Sequence, residues 1–178
     1  MDSSGSAHPA PRATPLVLRA ARVHDVSAIR ALIDPYVLTR AILPKPPVAY
    51  FEGLQEFVLA EIDGQVVGCG ALHVIWEDVA EVRTIAVDPL MKGHGVGHLM
   101  LAKLIQHARN LGVGRVFCLT FEVDFFARHG FREIQGDPVD PDVYRELLQS
   151  YDEGVAEFLD LDRVKPNTLG NTRMLLTL

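Results

Sequence analysis

Cysteine is nearly missing from this 178-residue chain: Cys69 and Cys118 are the two present, each inside an apolar stretch and neither paired at metal or redox spacing. They read as buried free thiols. None of the seven histidines forms an HxxxH or HxH pair beside a cysteine, so a structural zinc has no ligand set and no metal is expected. Basic excess is lacking too. Lys and Arg number 17 against 23 Asp and Glu, for a net charge of −6, so nucleic acid is not an expected partner. No apolar run reaches the roughly 18 residues of a membrane span, and Met1-Asp2-Ser3-Ser4-Gly5-Ser6 lacks the charged and then apolar regions of a signal peptide. A cytoplasmic protein without a membrane partner is expected. There is no internal repeat.

What is present suits one domain: 48% hydrophobic and 22% charged residues in a chain long enough to bury a core. Residues 1–14, rich in Ser, Ala and Pro, read as a flexible tail, and 15–178 as a single domain. Leu16-Val17-Leu18 suits a strand. Val26, Ile29 and Ile33 recur at helical spacing behind Asp25, a capping residue, with Asp34-Pro35 as the stop. A loop with Pro44, Pro46 and Pro47 is a candidate pocket wall. Residues 57–62 and 65–74 read as a hairpin turning at Asp63-Gly64. A strand over 81–87 stops at Asp88-Pro89, and Leu101, Leu104, Ile105, Ala108 and Leu111 stripe a helix ended by Gly112. A strand at 116–119, a short helix through Phe125-Phe126-Ala127-Arg128, a strand from Phe131, a helix carrying Tyr144, Leu147, Leu148 and Tyr151, and a strand at 174–176 follow. The pattern predicts an α/β or α+β fold around one mixed sheet.

Lys92-Gly93-His94-Gly95-Val96-Gly97-His98 lies between a strand and the strongly amphipathic helix. Glycines there permit a tight turn and free N–H groups, and a helix N-terminus adds partial positive charge, so a phosphate or pyrophosphate is the natural guest. The motif alone is weak, because glycine clusters also mark turns without ligands. Gly-Lys-Ser/Thr of a Walker loop is missing, and a dinucleotide fingerprint would need G-x-G-x-x-G early in a βαβ unit.

The order strand, K/R-G-x-G-x-G, helix, strand and then Phe126-Ala127-Arg128-His129-Gly130-Phe131 resembles the GNAT acetyltransferase superfamily over roughly residues 15–135. Val67-Gly68-Cys69-Gly70-Ala71-Leu72-His73, the strand Ala80 to Pro89, and the stretch Ile42-Leu43-Pro44-Lys45 are similar to the acetyltransferase domain of N-acetylglutamate synthases. The resemblance implies a GNAT-like fold with splayed central strands, acetyl-CoA as co-substrate, and a small-molecule amino-acid acceptor, glutamate or glutamine, as in arginine biosynthesis. A homodimer stays open. The amides from His94 through Gly95, Val96 and Gly97 to His98 would hold the pyrophosphate, in a cofactor loop that includes Gly93. Lys92 replaces the usual Arg or Gln, which keeps the charge but loses bidentate geometry. Ile85, Ala86 and Val87 would pair with the pantetheine arm, the Ile85 amide polarising the thioester carbonyl.

Amine acetylation needs a base for the ammonium proton and a donor for the oxyanion. The resemblance assigns the base to Glu81, and period-2 alternation places Arg83 and Ile85 on its side of the strand. No acid is assigned, because Phe126 stands where relatives carry Tyr. Substrate carboxylates need cations, and Lys45, Arg83 and Arg173 with Thr172 are the candidates. The family's C-terminal Arg falls at Gly170 here, which weakens selection for a second carboxylate. Two other readings are a GNAT enzyme for another small amine or a protein N-terminus, and a non-catalytic acyl-CoA-binding regulatory module.

Overall fold

Asp63 and Gly64 both turn through positive φ, 52° and 75°, the geometry that joins two twisted strands through a two-residue loop. They link β2 (Phe57–Ile62) to β3 (Gln65–Trp76) in a computed structural model that describes residues 15–168 and 170–178. The expected tail, 1–14, lies outside the described residues. The other strands and α-helices are β1 (Val17–Ala20), α1 (Val26–Leu38), α2 (Pro47–Glu52), β4 (Val79–Val87), α3 (Val96–Leu111), β5 (Arg115–Thr120), α4 (Val123–Ala127), β6 (Arg132–Glu133), α5 (Pro141–Leu147), α6 (Glu153–Phe158), α7 (Lys165–Thr168) and β7 (Thr172–Thr177). Among the described residues the strands form one sheet in the order β1-β2-β3-β4-β5-β7-β6, antiparallel except for β4 beside β5. No helix there is long and apolar enough to cross a membrane.

Each face of the sheet carries its own core. On one side, Leu101, Leu104, Ile105 and Ala108 of α3 pack on Val58, Leu72, Ala80 and Val82; on the other, Ile29 and Ile33 of α1 pack on Leu59, Cys69, Ala71 and Ala86. Both cysteines are buried and free. Phe117, Leu147, Val155 and Phe158 close the far end.

Four local expectations change. The first helix runs through Pro35 to Leu38, because Tyr36 and Val37 still pack on the α1 core and the Tyr36 hydroxyl donates to the Val87 carbonyl at 2.7 Å. Leu148 and Tyr151 fall beyond α5 and are exposed. Pro47 opens α2, which the proline loop concealed, since proline at a first helical turn has no N–H to lose. Asp25 precedes α1 without capping it by its side chain. Its carboxylate instead accepts two bonds from Arg19, at 2.7 and 2.9 Å, and one from the Arg22 N–H at 2.7 Å.

The Arg19 Nε also donates to Glu61 at 2.6 Å, so one guanidinium ties β1, β2 and the start of α1 together. Hydrogen bonding from Arg19 holds the Asp25 carboxyl at about 2, well below its ordinary value, despite burial. Arg19→Met should lower stability at pH 7 by about 3 kcal/mol, since it strands a buried carboxylate. Urea denaturation checks this, and an unchanged midpoint would assign the pair no structural weight.

Candidate functional site

β4 pairs with β5 only at Val79, Ala80 and Glu81, opposite Arg115, Val116 and Phe117. Beyond Glu81 the strands part. On its other edge β4 meets β3 through a bulge: Arg83 pairs with Ala71 and Ala86 with Cys69, so Thr84 and Ile85 together oppose Gly70. Thr84 sits at φ 60°, a conformation that costs a β-branched residue about 1–3 kcal/mol and is kept where surroundings impose it. The bulge also overturns the expected face of Ile85. Glu81 and Arg83 share one face, but the extra residue turns Ile85 to the α3 side and Ala86 to the α1 side.

A cavity of about 550 Å³ opens at the parting, lined by Val82 to Ile85 and Val87, by Lys92, Gly93, Gly95, Val96, Gly97 and His98, and by Phe125 and Phe126. Gly93 and Gly95 have φ of 84° and 80°, values that few side chains tolerate. They aim the first turn of α3 into the cavity, where its leading N–H groups have no intrahelical acceptor. His94 departs from expectation because its N–H already donates to the Met91 carbonyl, and it lies outside the lining. Ala86, 1% exposed, also lies outside. The His98 ring stands 2.8 Å from that of His129 and packs beside Phe125.

A second cavity of about 600 Å³ adjoins the first. Ala41, Ile42, Val82, Arg83, Thr84 and Leu119 line both. Its wall holds Lys45, Glu56, Glu81, Asp152, Glu157 and Asn171. Glu81 is 3% exposed and its Oε2 has no hydrogen-bond partner. Burial raises its pKa, and Arg83, 3.6 Å away, opposes the rise. Arg83, an expected substrate cation, directs its donors to the protein's own carboxylates: Asp152 at 2.9 and 3.1 Å and Glu56 at 3.0 Å. His73 bonds Glu56 at 2.8 Å. Burial pushes Asp152 and Glu56 up, but these cationic and hydrogen-bonded neighbours hold both below their ordinary values. Asp152 also caps α6, accepting from the N–H groups of Gly154 and Val155.

Lys45 faces this cavity, its pKa lowered by burial and then by Arg83. Thr172 and Arg173 line neither cavity. Thr172 pairs with Thr120 at the end of β7. The Arg173 guanidinium donates to the carbonyls of Gly136 and Phe158, so it fastens the loop at Gly136 and the end of α6 to the sheet instead of meeting a ligand. Glu56, Asp152, Gly154, Glu157 and Asn171 escaped sequence reasoning. Asp152 carried one usable signal, an acidic residue placed to cap the helix after it. Among the described residues no group of three or more His, Cys, Asp or Glu could hold a metal ion.

A mixed sheet parted beside a glycine-led helix, with a buried carboxyl where two cavities meet, is the arrangement of an acyl-transfer enzyme. Residues 28–131 match the acetyltransferase (GNAT) family, and the chain belongs to that family. An amino-acid acetyltransferase of Mycobacterium tuberculosis (strain ATCC 25618 / H37Rv) is 56% identical over 171 residues, covering 94% of this chain and 98% of that protein. One from Neisseria meningitidis serogroup A is 34% identical over 136 residues, 75% of this chain and 31% of that protein. The crystal structure of Rv2747 from Mycobacterium tuberculosis, in complex with CoA and NLQ, superposes with a TM-score of 0.88 at 57% identity, covering 91% of this chain and 99% of that one. N-acetylglutamate synthase from Neisseria gonorrhoeae, complexed with coenzyme A and N-acetyl-glutamate, shares the fold, with a TM-score of 0.74 at 24% identity over 92% of this chain and 35% of that one.

Gly154 lies against Glu81: a Cβ built there would overlap Oε2 and stand 2.8 Å from the carboxyl carbon. Alanine in place of a helical glycine normally stabilises by up to about 1 kcal/mol. Gly154→Ala should instead destabilise by about 1–3 kcal/mol through overpacking, and a melting temperature above the parent's would contradict the contact.

Burial, with Glu81 second, pushes Glu157 from 4.5 up to about 8. The folded chain therefore holds this proton more tightly than the unfolded chain, and the resulting stabilisation, full below about pH 4.5, is lost as pH rises through 8. Calorimetry should show the melting temperature falling from pH 5 to pH 8.5, with a smaller fall in Glu157→Gln. Equal falls in the two proteins would place the titration elsewhere.

Proposed function

We propose that the chain is an amino-acid N-acetyltransferase that moves the acetyl group of acetyl-CoA to the α-amine of glutamate or glutamine. One observation carries the reading: the buried Glu81 carboxyl, whose Oε2 accepts no hydrogen bond and lies 3.6 Å from Arg83, stands beside the junction of two cavities, one suited to coenzyme A and the other to a zwitterion. The first turn of α3, from Gly95 to His98, meets the pyrophosphate with free N–H groups and the helix dipole, while Lys92 adds a cation at the rim. The pantetheine arm follows the freed edge of β4 at Ile85 and Val87. The Ile85 amide, in the bulge, is the donor for the thioester oxyanion.

In the second cavity several charges already have partners. Arg83 holds Asp152 and Glu56, and Arg163 holds Glu153. Of the other lining charges, Glu81 and Glu157 are buried and face the acceptor's ammonium group, and Lys45 faces its carboxylate. Glu81, raised by burial, takes the ammonium proton, and the neutral amine attacks the thioester. Because Arg83 and Arg173 are committed internally and position 170 is glycine, a second carboxylate has no buried guanidinium to meet. Glutamine should therefore compete seriously with glutamate. The high identity to the M. tuberculosis amino-acid acetyltransferase supports an amino-acid acceptor. A cytoplasmic setting suits both substrates.

A second reading draws on the carboxylates around the acceptor cavity, which favour a cationic amine. Initial rates of CoA release with glutamine, glutamate, lysine and spermidine separate the two. The amino-acid reading expects glutamine or glutamate to be fastest, and faster turnover of lysine or spermidine would reject it. Glu81→Gln should lower kcat roughly 10²–10⁴-fold while acetyl-CoA affinity persists. Undiminished turnover from pH 6 to 9 would remove Glu81 from the chemistry.

A further inference from the structure

Glu157 is 7% exposed and lines the acceptor cavity, yet among the described residues its carboxyl has neither a hydrogen bond nor an ion pair. It follows Gly154 by three residues on α6, a spacing that puts both on one face of the helix. Gly154 abuts the Glu81 carboxyl, so Glu157 presents its own carboxyl to the same wall. Packing does not require it there. The apolar face of α6 is supplied by Val155 and Phe158, and a buried carboxylate without a partner is costly unless it carries a proton.

We infer that Glu157 is the proton partner of Glu81: in the resting site the two carboxyls hold one proton between them, and the proton that Glu81 takes from the acceptor leaves to solvent from Glu157. The inference rests on the reading of Glu81 as the base. Glu157 acts through Glu81 and is a positioning residue for the proton.

The proton count closes. An ammonium N–H bond breaks and an O–H bond forms on Glu81. The Glu157 O–H gives its proton to cavity water, and the Glu81 proton passes to Glu157 directly or through one water, restoring the singly protonated pair. The amine then forms its N–C bond as the C–S bond breaks, and the second N–H proton of the amine balances the thiolate as it becomes the thiol. One proton is released for each acetyl group transferred.

The surroundings fit the division of labour. Glu81 has the Arg83 guanidinium on its own strand, with His73 on β3, Lys45 on the proline loop and the Cys118 thiol on β5 nearby. Glu157 faces Glu81 together with Glu153 and Asp152 at the head of α6, and Lys45 alone opposes them. The charge of the pair therefore settles on Glu81 and the proton on Glu157. The value of about 8 for Glu157 agrees with this order.

Glu157→Gln keeps the shape but cannot release a proton, whereas Glu157→Asp keeps a titratable carboxyl. Rates from pH 6 to 9.5 with glutamine or glutamate, and calorimetry with acetyl-CoA, test the assignment. The expected result is acetyl-CoA affinity within about twofold of wild type in both variants. In Glu157→Gln, kcat should fall at least about tenfold and the inflection near pH 8 should vanish. Glu157→Asp should regain the inflection and part of the rate. Wild-type kcat and pH profile in Glu157→Gln would overturn the inference while leaving Glu81 as base, as would loss of acetyl-CoA affinity in both variants, which would make the role structural. If the wild type acetylates no amino acid, or Glu81→Gln matches it, the functional reading fails and the inference with it.

Discussion

β4 stays beside β5 for three residues and then leaves it, and the rest of the site follows from that departure. Up to Glu81 the strand is part of a continuous sheet, with α3 on one face and the core of Phe117, Val155 and Phe158 on the other. Past Glu81 its freed edge borders the cavity, and the bulge at Thr84 and Ile85 re-aims the side chains that follow. Holding Thr84 at φ 60° is unfavourable for a β-branched residue. The conformation persists because β3 pairs with β4 on both sides of the bulge, at Ala71 with Arg83 and at Cys69 with Ala86. The same parting that opens the first cavity leaves Glu81 at the last paired position, buried and facing the second cavity.

Charge organises what the parting exposes. The Arg83 guanidinium binds Asp152 and Glu56, and Asp152 caps α6, so one cation joins β4, the turn before β2 and α6 around the second cavity. This arrangement sorts the acidic groups. Those that touch Arg83 directly stay ionised, while Glu81, held farther off and fully buried, and Glu157, with no partner, are raised. Carboxyls of one cavity pushed in opposite directions by their neighbours are the means by which a site separates fixed charges from groups that exchange protons. The first cavity works differently. It offers backbone N–H groups and a helix dipole, which suit an anion whatever the pH.

The parts legible in sequence are those whose causes are local. Asp63-Gly64 between alternating strands demands positive φ at both positions, and the glycines before α3 have the same logic. Gly112 ends α3 because its left-handed conformation suits glycine. The candidate base could be read only through a family resemblance, since nothing local separates Glu81 from an ordinary exposed strand glutamate. Alternation alone puts Ile85 on the wrong face because it assumes an unbroken strand, and the bulge arises from pairing with β3. Arg83 and Arg173 looked like free cations because their partners, Asp152, Glu56 and two carbonyls, lie 15 to 69 residues away. The cluster of Glu81, Gly154 and Glu157 exists only because α6 folds back over β4.

The central claim is that coenzyme A occupies the gap between β4 and β5 with its pyrophosphate on the first turn of α3. Amide hydrogen exchange with and without CoA, resolved residue by residue by NMR, tests it most directly. The account predicts slowed exchange at Gly95, Val96, Gly97, His98 and Ile85, with little change in the β2–β3 hairpin. Saturating CoA that left those amides exchanging at their free rates, or protected a different surface, would contradict it.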